Sequence, residues 1–569
     1  MTGADPRPVV IVGAGPVGLG TALELARFGV RSVVVERHGS ISWHPKTRNI
    51  NTRTMEIARG WGPTVYQRLR GIDAPPGWKS PIRFVDTAVG PERGRIDTAG
   101  FEGPGPAVSP AVPVMSSQEL LEEILLDAAR ATGRVEIRFD TEVVGLTQPR
   151  AGTGDVTVTL RSVGDGTTGA TETIDAPAVI GADGSGSFVR RALGVELDGR
   201  RDLTHMINCY FRAPIEPHLG DRPAVLYFVA SDDAVGVLQP LDARGRWLAQ
   251  VNVDADDWSI EAWPPDRVEA WVRSASGIPD LGVEVISVGR WALNATVADR
   301  FVVGRVALVG DAAHQFPPTG GLGVNTGLQS MHNLAWKLAY HLRGWAAWSL
   351  VETYPTERRG LAQRVTEQSL ANSRAVGRIR AVALGRVDPD ASGLSAAEIA
   401  AESHRYGNHL GVELGPVYAS AAVIGDGTAP PVVADDYADY VPSATPGARL
   451  PHHWLGPADD PISTLDLVGT NLLVLAGPQG RGWAAAAATA ATRTGVGVDH
   501  LRIGRPGLTD PGDGSGRPFV DVAGIGPGGA LLVRPDGHVA WRHPGPSVTG
   551  PADLGDQLTE AITRLLGPA

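Results

Sequence analysis

Gly13, Gly15 and Gly18 stand at the spacing Gly-x-Gly-x-x-Gly, with Pro16 and Val17 between the second and third. That spacing suits a pyrophosphate: one glycine makes a tight turn, one lets the backbone approach the phosphates, and one packs helix closely on strand. The pattern follows the apolar run Val9–Val12 and precedes a stretch from Thr21 to Arg27 with Leu23, Ala26 and Arg27 at helical spacing, closed by Gly29 as a C-cap. A helix begun there turns unpaired N–H groups and its positive dipole end toward the phosphates. A second apolar run, 33–35, ends in Glu36, 23 residues after Gly13, where a carboxylate accepts hydrogen bonds from ribose hydroxyls. The whole reads as a dinucleotide site, with Gly13, Gly15, Pro16, Val17, Gly18, Glu36 and the adjacent Arg37 as candidate contacts.

A second constellation narrows the ligand. The apolar run 306–309 leads to Asp311, and a loop containing Pro317, Pro318, Gly320, Gly321 and Gly323 then enters a helix at about Asn325. A carboxylate at a strand end suits a ligand's polyol. Backbone N–H groups and a helix dipole suit the anionic edge of a ring. A reduced flavin carries such an edge, so the dinucleotide is read as FAD. Asp311 and His314 are three residues apart and are assigned to that ligand rather than to a catalytic dyad. Rival chemistries lack their residues. There is no Gly-x-Ser-x-Gly for a hydrolase, no Gly-Lys-Ser/Thr for an ATPase or kinase, and no Trp-x-Trp-x-Ile-Pro for a flavin halogenase. His452 and His453 have no partners at ligand spacing, so no metal site is expected. The single cysteine, Cys209, excludes an intrachain disulfide and reads as a small buried hydrophobe in a strand.

The elements that must position these groups follow from length and patterning. A chain of 569 residues exceeds one hydrophobic core and divides into several domains. Its net charge of -11, with no basic stripe, argues against a nucleic-acid partner. The first apolar run flows straight into the Gly-rich turn and reads as a strand rather than a signal peptide. The most apolar helical stretch, 333–351, is broken by Lys337, His341 and Arg343, so no membrane span is expected and the chain is assigned to the cytoplasm. Helices are expected at 53–59, 117–131 and from about Gly327, and strands at 156–160, 178–181, 301–303 and 306–309. Between 204 and 253 the pattern changes to runs at 206–211, 224–230, 234–238 and 247–253, an antiparallel sheet inserted into the first domain. Tyr210, Tyr227 and Gln239 carry polar groups in that sheet and are candidate substrate contacts. Residues 1–75, 110–190 and 290–400 are assigned to the dinucleotide domain, 76–109 and 191–289 to the sheet domain, 401–445 to a linker and 446–569 to a small α/β domain.

The segments together resemble the single-component (group A) flavin monooxygenases, the family of p-hydroxybenzoate hydroxylase, phenol hydroxylase and polyketide aromatic hydroxylases. Residues 310–325 resemble its second FAD fingerprint and Gly181-Ala182-Asp183-Gly184 its middle one, whose Asp is linked to FAD and nicotinamide handling. Ser117-Gln118-Glu119-Leu120-Leu121 resembles the segment whose Gln contacts the phosphate or ribityl region. His44-Pro45-Lys46-Thr47-Arg48, continuing to Arg53-Thr54-Met55-Glu56, resembles the loop whose basic residue reaches FAD. This chain has Pro-Lys-Thr-Arg where Pro-Arg-Ala is usual, so that role falls on Lys46 or Arg48. Ser330 stands where Asp is usual. Residues 447–452 and 533–542 resemble the thioredoxin-like C-terminal domain of phenol and polyketide hydroxylases. Without Cys-x-x-Cys, that domain serves packing or oligomer contacts.

The resemblance implies an α/β fold: a Rossmann-like FAD-binding domain, an inserted antiparallel β-sheet substrate domain and a C-terminal thioredoxin-like α/β domain. It adds Gln118, Val143, Asp183, Asp311, Pro318, Gly321, Gly323, Val324 and Asn325 as FAD contacts, with the Pro317-Pro318 peptide at the flavin's reactive edge and Pro317 toward substrate. NADPH or NADH, bound transiently, reduces the FAD; O2 adds to give a C4a-hydroperoxide, whose distal oxygen passes to an electron-rich ring carbon. The implied substrate is a small aromatic molecule, a bulky phenolic intermediate of antibiotic biosynthesis. Baeyer–Villiger oxidation of a polycyclic ketone is the alternative, and a non-catalytic FAD- or ligand-binding protein a second. A homodimer or higher homo-oligomer is expected.

Overall fold

Every side chain of β1 (Val9–Val12) and β2 (Ser32–Val35) is buried, as a parallel strand covered on both faces requires. The helix α1 (Pro16–Arg27) connects them, and Val9 pairs with Ser32 and Val12 with Val35. These elements belong to a computed structural model that describes residues 7–46, 48–149, 154–163, 171–383, 395–513, 516–545 and 551–567; Thr47 of the basic loop lies outside them.

A short strand, β3 (Asn49–Ile50), leads into α2 (Thr52–Gly60) and α3 (Pro63–Gly71). The chain then makes the β4 (Ile82–Val85) and β5 (Glu92–Ile96) hairpin and returns through β6 (Val114–Met115), which pairs with β3. Next come α4 (Gln118–Ala131), β7 (Val135–Arg138), an antiparallel trio of β8 (Thr141–Thr147), β9 (Val156–Ser162) and β10 (Thr171–Ala176), then β11 (Val179–Gly181) and α5 (Phe188–Ala192). The inserted sheet is built from β12 (Leu197–Arg212), β13 (Leu226–Ala230), β14 (Val235–Pro240), β15 (Arg246–Val253), the helix α6 (Pro265–Ser276) and β16 (Glu284–Ala298). The chain re-enters the first domain through β17 (Val302–Val303), β18 (Val306–Leu308) and β19 (His314–Gln315).

Two sheets therefore position the site. One has the order β17-β18-β11-β1-β2-β7 and is parallel except for the β17–β18 hairpin. The other, β19-β16-β12-β15-β14-β13-β4-β5, is antiparallel except where β13 meets β4. Strand alternation divides the second sheet by face. Ile207, Cys209, Phe211, Tyr227, Leu238, Trp247 and Ala249 form a core with Val268 and Val272 of α6. The opposite face turns toward the first domain, where Phe84, Phe228 and Val237 share a core with Met115 and Tyr406.

Two long helices follow: α7 (Gly323–Leu342), buried along most of its length, and α8 (Trp348–Ala383), which carries Pro355 internally. Of residues 401–445, expected as a linker, 425–432 are exposed throughout, whereas much of 406–424 is packed. Beyond α9 (Ala396–Glu402), α10 (Leu410–Leu414) is almost wholly buried, and Tyr406, His409, Tyr418 and Tyr437 are core residues. A Pro-, Gly- and Asp-rich composition reads as loop, but the aromatic residues within it anchor the stretch. The last domain holds the pair β20 (Trp454–Leu455) and β21 (Ile462–Ser463), then β22 (Leu472–Ala476), α11 (Trp483–Thr494), β23 (Val498–Arg502), α12 (Phe519–Ala523), β24 (Ala530–Val533), β25 (Val539–His543) and α13 (Pro551–Leu566). Its main sheet runs β23-β22-β24-β25.

Buried ion pairs join that domain to the first. Arg449 donates to Glu56 of α2, and Arg53 donates to the Asp536 carbonyl at 2.7 Å. Arg534 lies between Glu357 of α8 (2.7 and 2.8 Å) and Asp536, while Lys337 of α7 reaches the same Glu357 at 2.7 Å. Ser330 accepts from Arg358 at 3.1 Å, and among the described residues Arg358 has no carboxylate at ion-pair distance. The helix is intact through Ser330.

Candidate active site

The Gly-rich turn is shaped by contacts that only glycine permits. Gly13 has φ +106, and a Cβ on Gly18 would run into the carbonyl oxygen of Gly13. Gly15 differs: a Cβ there would meet no protein atom within 4 Å, so the outer side of the turn opens onto a groove. Gly15 is also the N-cap of α1 and offers no side-chain cap, so the first-turn N–H groups face that groove. Glu36 is anchored at its rim, accepting from Ala14 N–H at 2.9 Å and His38 N–H at 3.0 Å. Pro16 starts α1, Val17 packs beneath it, and Arg37 is exposed beside Glu36. A backbone cradle with an acidic rim fits a dinucleotide pyrophosphate and its ribose.

The second fingerprint lies across the groove. Asp311 is solvent-accessible yet crowded by protein; that crowding raises its carboxyl pKa, and the charge of Lys46 pulls it back. Lys46 is exposed and its charge acts on Asp311, whereas Arg48 is 6 % exposed and donates to the Val225 carbonyl at 2.8 Å, on the sheet domain. Gly320 and Gly321 have φ +122 and +67, and Gly321 N–H closes a turn on the Pro318 carbonyl at 3.0 Å. Pro318 is exposed and Pro317 buried. The helix α7 starts at Gly323, earlier than the expected Gly327, without a side-chain cap. Its first-turn N–H groups, among them Gly323, Val324 and Asn325, are the donors a flavin edge needs.

The Asn325 side chain has a different task. It accepts from Asn51 N–H (2.9 Å) and Thr54 Oγ1 (2.8 Å), and donates to the Asn49 (2.9 Å) and Gly321 (2.8 Å) carbonyls. It staples the flavin loop to β3 and α2, leaving only its backbone for a cofactor. Asp183 likewise spends its carboxylate on Ser187 and on Val189 N–H, capping α5. Gln118 donates to Glu122 at 2.7 Å near the groove. The Val143 side chain is buried in the main core, so only its backbone is free to meet a ligand.

His314 is no dyad partner of Asp311. It is 1 % exposed, stacks on Phe316 at 4.8 Å, and neither ring nitrogen has a hydrogen-bond partner. Burial lowers its pKa to about 3, and burial does the same to His538 in the last domain. Unfolding frees both to protonate near 6.5, so the unfolded state binds more protons below that pH. Folding stability should hold from pH 8 to 6.5, then fall by up to about 1.4 kcal/mol per pH unit per histidine toward pH 4. Thermal melts across that range check this; a melting temperature unchanged down to pH 5 contradicts it.

The face of the eight-stranded sheet away from α6 turns toward the first domain, where Phe84, Phe228 and Val237 are buried with Tyr406. Tyr210, Val237, Gln239 and Phe228 share that face; Tyr227, a sequence candidate for substrate contact, does not. Tyr227 is fully buried on the α6 side and donates to the Arg222 carbonyl at 2.6 Å, and burial raises its hydroxyl pKa. Alternation along a strand reveals two faces but not which one meets the ligand. The Tyr210 hydroxyl accepts from Arg246 Nε at 2.9 Å, and Arg246 pairs with Glu119 at the start of α4. Phe84 and Phe228 stack at 5.0 Å, with Tyr406 edge-on to Phe228 at 6.3 Å. Sequence reasoning missed Arg246, Glu119, Phe84 and Tyr406, because the partners lie far apart in the chain. Among the described residues no helix is long and apolar enough to cross a membrane, and no group of three or more His, Cys, Asp or Glu could hold a metal.

Comparison with known proteins agrees with this geometry. A family model described as an FAD binding domain matches residues 7–369, and one described as the C-terminal domain of aromatic-ring hydroxylases matches 443–569. Tetracenomycin A2 monooxygenase-dioxygenase of Streptomyces glaucescens is 34% identical, over 98% of this chain and 96% of its own. The flavin-dependent monooxygenase PieE, solved with FAD and substrate, is 33% identical with a TM-score of 0.86, over 98% of this chain and 99% of its own. Aklavinone-11 hydroxylase, solved with FAD and aklavinone, is 32% identical with a TM-score of 0.82, over the full length of both chains.

Proposed function

We propose that this chain, which belongs to the family of FAD-dependent aromatic-ring hydroxylases, hydroxylates a bulky polycyclic phenol of natural-product biosynthesis, using NADPH or NADH and O2. The observation that carries the reading is a juxtaposition: the Pro317–Gly323 loop at the N-terminus of α7 comes up to Tyr406, whose ring meets Phe228 on the aromatic face of the eight-stranded sheet. The chemistry a bound FAD supplies is two-electron reduction by the nicotinamide and activation of O2 for transfer of one oxygen atom to a ring carbon.

The residues of this chain prepare that chemistry. Gly13, Gly15 and Gly18 with the α1 N-terminus hold the pyrophosphate, Glu36 takes the ribose hydroxyls, and Asp311 takes the polyol. Lys46, whose charge acts on Asp311, supplies the basic contact left open between it and Arg48. The α7 N–H groups stabilise negative charge at the ring edge. Phe84, Phe228, Val237 and Tyr406 form an apolar wall that orients a flat substrate and excludes water. A solved relative bound to aklavinone supports a large substrate over a simple benzoate.

Anaerobic mixing of the FAD-loaded protein with NADPH or NADH, with and without polycyclic phenols, tests the reading. At least one phenol should speed flavin bleaching about tenfold or more, and aerobic turnover under labelled O2 should add one labelled oxygen atom to it. A flavin that neither nicotinamide reduces, or a product without label, would sink it.

A further inference from the structure

Arg48 sits in the substrate wall in an unusual electrostatic position. Its carbonyl is fixed by Ser116 N–H at 2.8 Å, and its guanidinium makes one hydrogen bond, Nη1 to the Val225 carbonyl at 2.8 Å. Its Nε is buried without a partner, and among the described residues no carboxylate lies at ion-pair distance. The nearest opposing charge is Asp242, whose carboxylate serves the Arg244 and Arg246 N–H groups and lies 3.9 Å from the Arg246 side chain. Burial accordingly draws the Arg48 pKa down to about 9, with Asp242 pulling the other way. The second cation of this region, Arg246, is compensated by Glu119. Proteins rarely leave a buried guanidinium so poorly paired, because desolvation without hydrogen bonds is costly.

A second polar group lies on the strand next to the one that Arg48 bonds. Val225 leads into β13, where Tyr227 pairs with Leu238; Leu226 therefore lies opposite Gln239. Gln239 is 7 % exposed, shares its face with Val237 rather than with Leu238, and its amide has no hydrogen-bond partner among the described residues. Phe84, Phe228 and Tyr406 make the neighbouring wall apolar.

We propose that Arg48 and Gln239 form an anion-recognising end of the substrate pocket, selecting a polycyclic ring system that carries an ionised oxygen, either phenolate or carboxylate. The proposal rests on reading this sheet face as the substrate wall. Arg48 then determines specificity rather than binding FAD, since it bonds to the sheet domain and the charge of Lys46 acts on Asp311. A charge-assisted hydrogen bond to an oxyanion would satisfy Nε and restore local charge balance.

Binding of matched probes to the FAD-loaded enzyme tests this without turnover. Anthraquinone-2-carboxylate is compared with its carboxamide, and 2-hydroxyanthraquinone with its methyl ether, by flavin difference spectra. The wild-type protein should favour at least one anion about tenfold or more. A carboxylate preference alone assigns the carboxylate, and phenolate absorption from bound 2-hydroxyanthraquinone, below the pH at which it ionises free, assigns the phenolate. Arg48→Met should bring the preferred pair to near parity, Arg48→Lys should keep part of the preference, and Gln239→Leu should lose a smaller part. Parity in both pairs for the wild type overturns the proposal whether or not any variant folds. So does an Arg48→Met protein that keeps the preference, or one that loses FAD while keeping it. Anion-selective binding without labelled-oxygen incorporation would instead overturn the hydroxylase reading and leave this one standing.

Discussion

Gly15→Val is expected to give a folded protein that is purified colourless and binds added FAD at least about 100-fold more weakly than wild type, a loss of about 3 kcal/mol. The effect depends on where the new carbon atoms go. Gly15 has φ -73 and ψ 179, backbone that any residue adopts, and its Cβ would touch nothing in the protein. The apo fold therefore loses only the small N-cap preference of glycine over valine, less than about 1 kcal/mol. The same atoms project to the side of the turn from which a pyrophosphate must approach. Gly18→Ala is the contrasting control. Its methyl group would collide with the Gly13 carbonyl, so it should weaken the apo fold as well as FAD binding. FAD titration and apo melting temperatures, measured on both variants, separate the two effects. Retention of tight FAD binding by Gly15→Val would contradict the cradle assigned here, and so would a collapse of its apo stability.

The contrast between these two glycines also shows what a sequence can convey. The spacing of β1, the turn, α1 and β2 is local, so the dinucleotide cradle was legible before any coordinates. The flavin loop was legible for the same reason, as a strand end, a Pro- and Gly-rich loop and a helix start in one continuous string. What stayed hidden depends on contacts across long sequence separations. Asn325 belongs to the expected cofactor loop, but its side chain is consumed by Asn51 and Thr54, some 270 positions earlier. Lys46 and Arg48 are two residues apart and equivalent on paper, yet Lys46 is exposed while Arg48 is buried and bonds to the Val225 carbonyl. Tyr227 and Gln239 both alternate correctly along their strands, yet they lie on opposite faces of the same sheet. Within 401–445 composition reads as linker throughout, yet the aromatic residues Tyr406 and Tyr418 anchor the first half while 425–432 stay exposed. Arg53 and Glu56, quoted only as part of a resemblance, prove to be joints to the last domain.

Those joints carry the second large effect. Arg534→Met is expected to destabilise the protein by about 3–5 kcal/mol, the cost of leaving buried charge without its partner. Arg534 is fully buried, faces Glu357 with two hydrogen bonds and Asp536 with two more, and lies over the rings of Trp336 and Tyr418. Its removal leaves two carboxylates against the single charge of Lys337. Both carboxyl groups are held well below their ordinary pKa by this cation, against the opposing effect of burial. Adding Asp536→Asn to the variant leaves Lys337 and Glu357 as a balanced pair at 2.7 Å, so the double variant should recover most of the loss. Denaturant midpoints for wild type, single and double variants measure this directly. A single variant within about 1 kcal/mol of wild type would contradict the charge argument, as would a double variant no more stable than the single. A functional readout follows, because Asp536 also accepts from Asn333 and Trp336 of α7. The same helix presents its N-terminus to the flavin loop, so loss of Arg534 should weaken FAD binding several-fold as α7 loosens. Unchanged FAD affinity in a destabilised Arg534→Met protein would confine the cluster to holding the last domain in place.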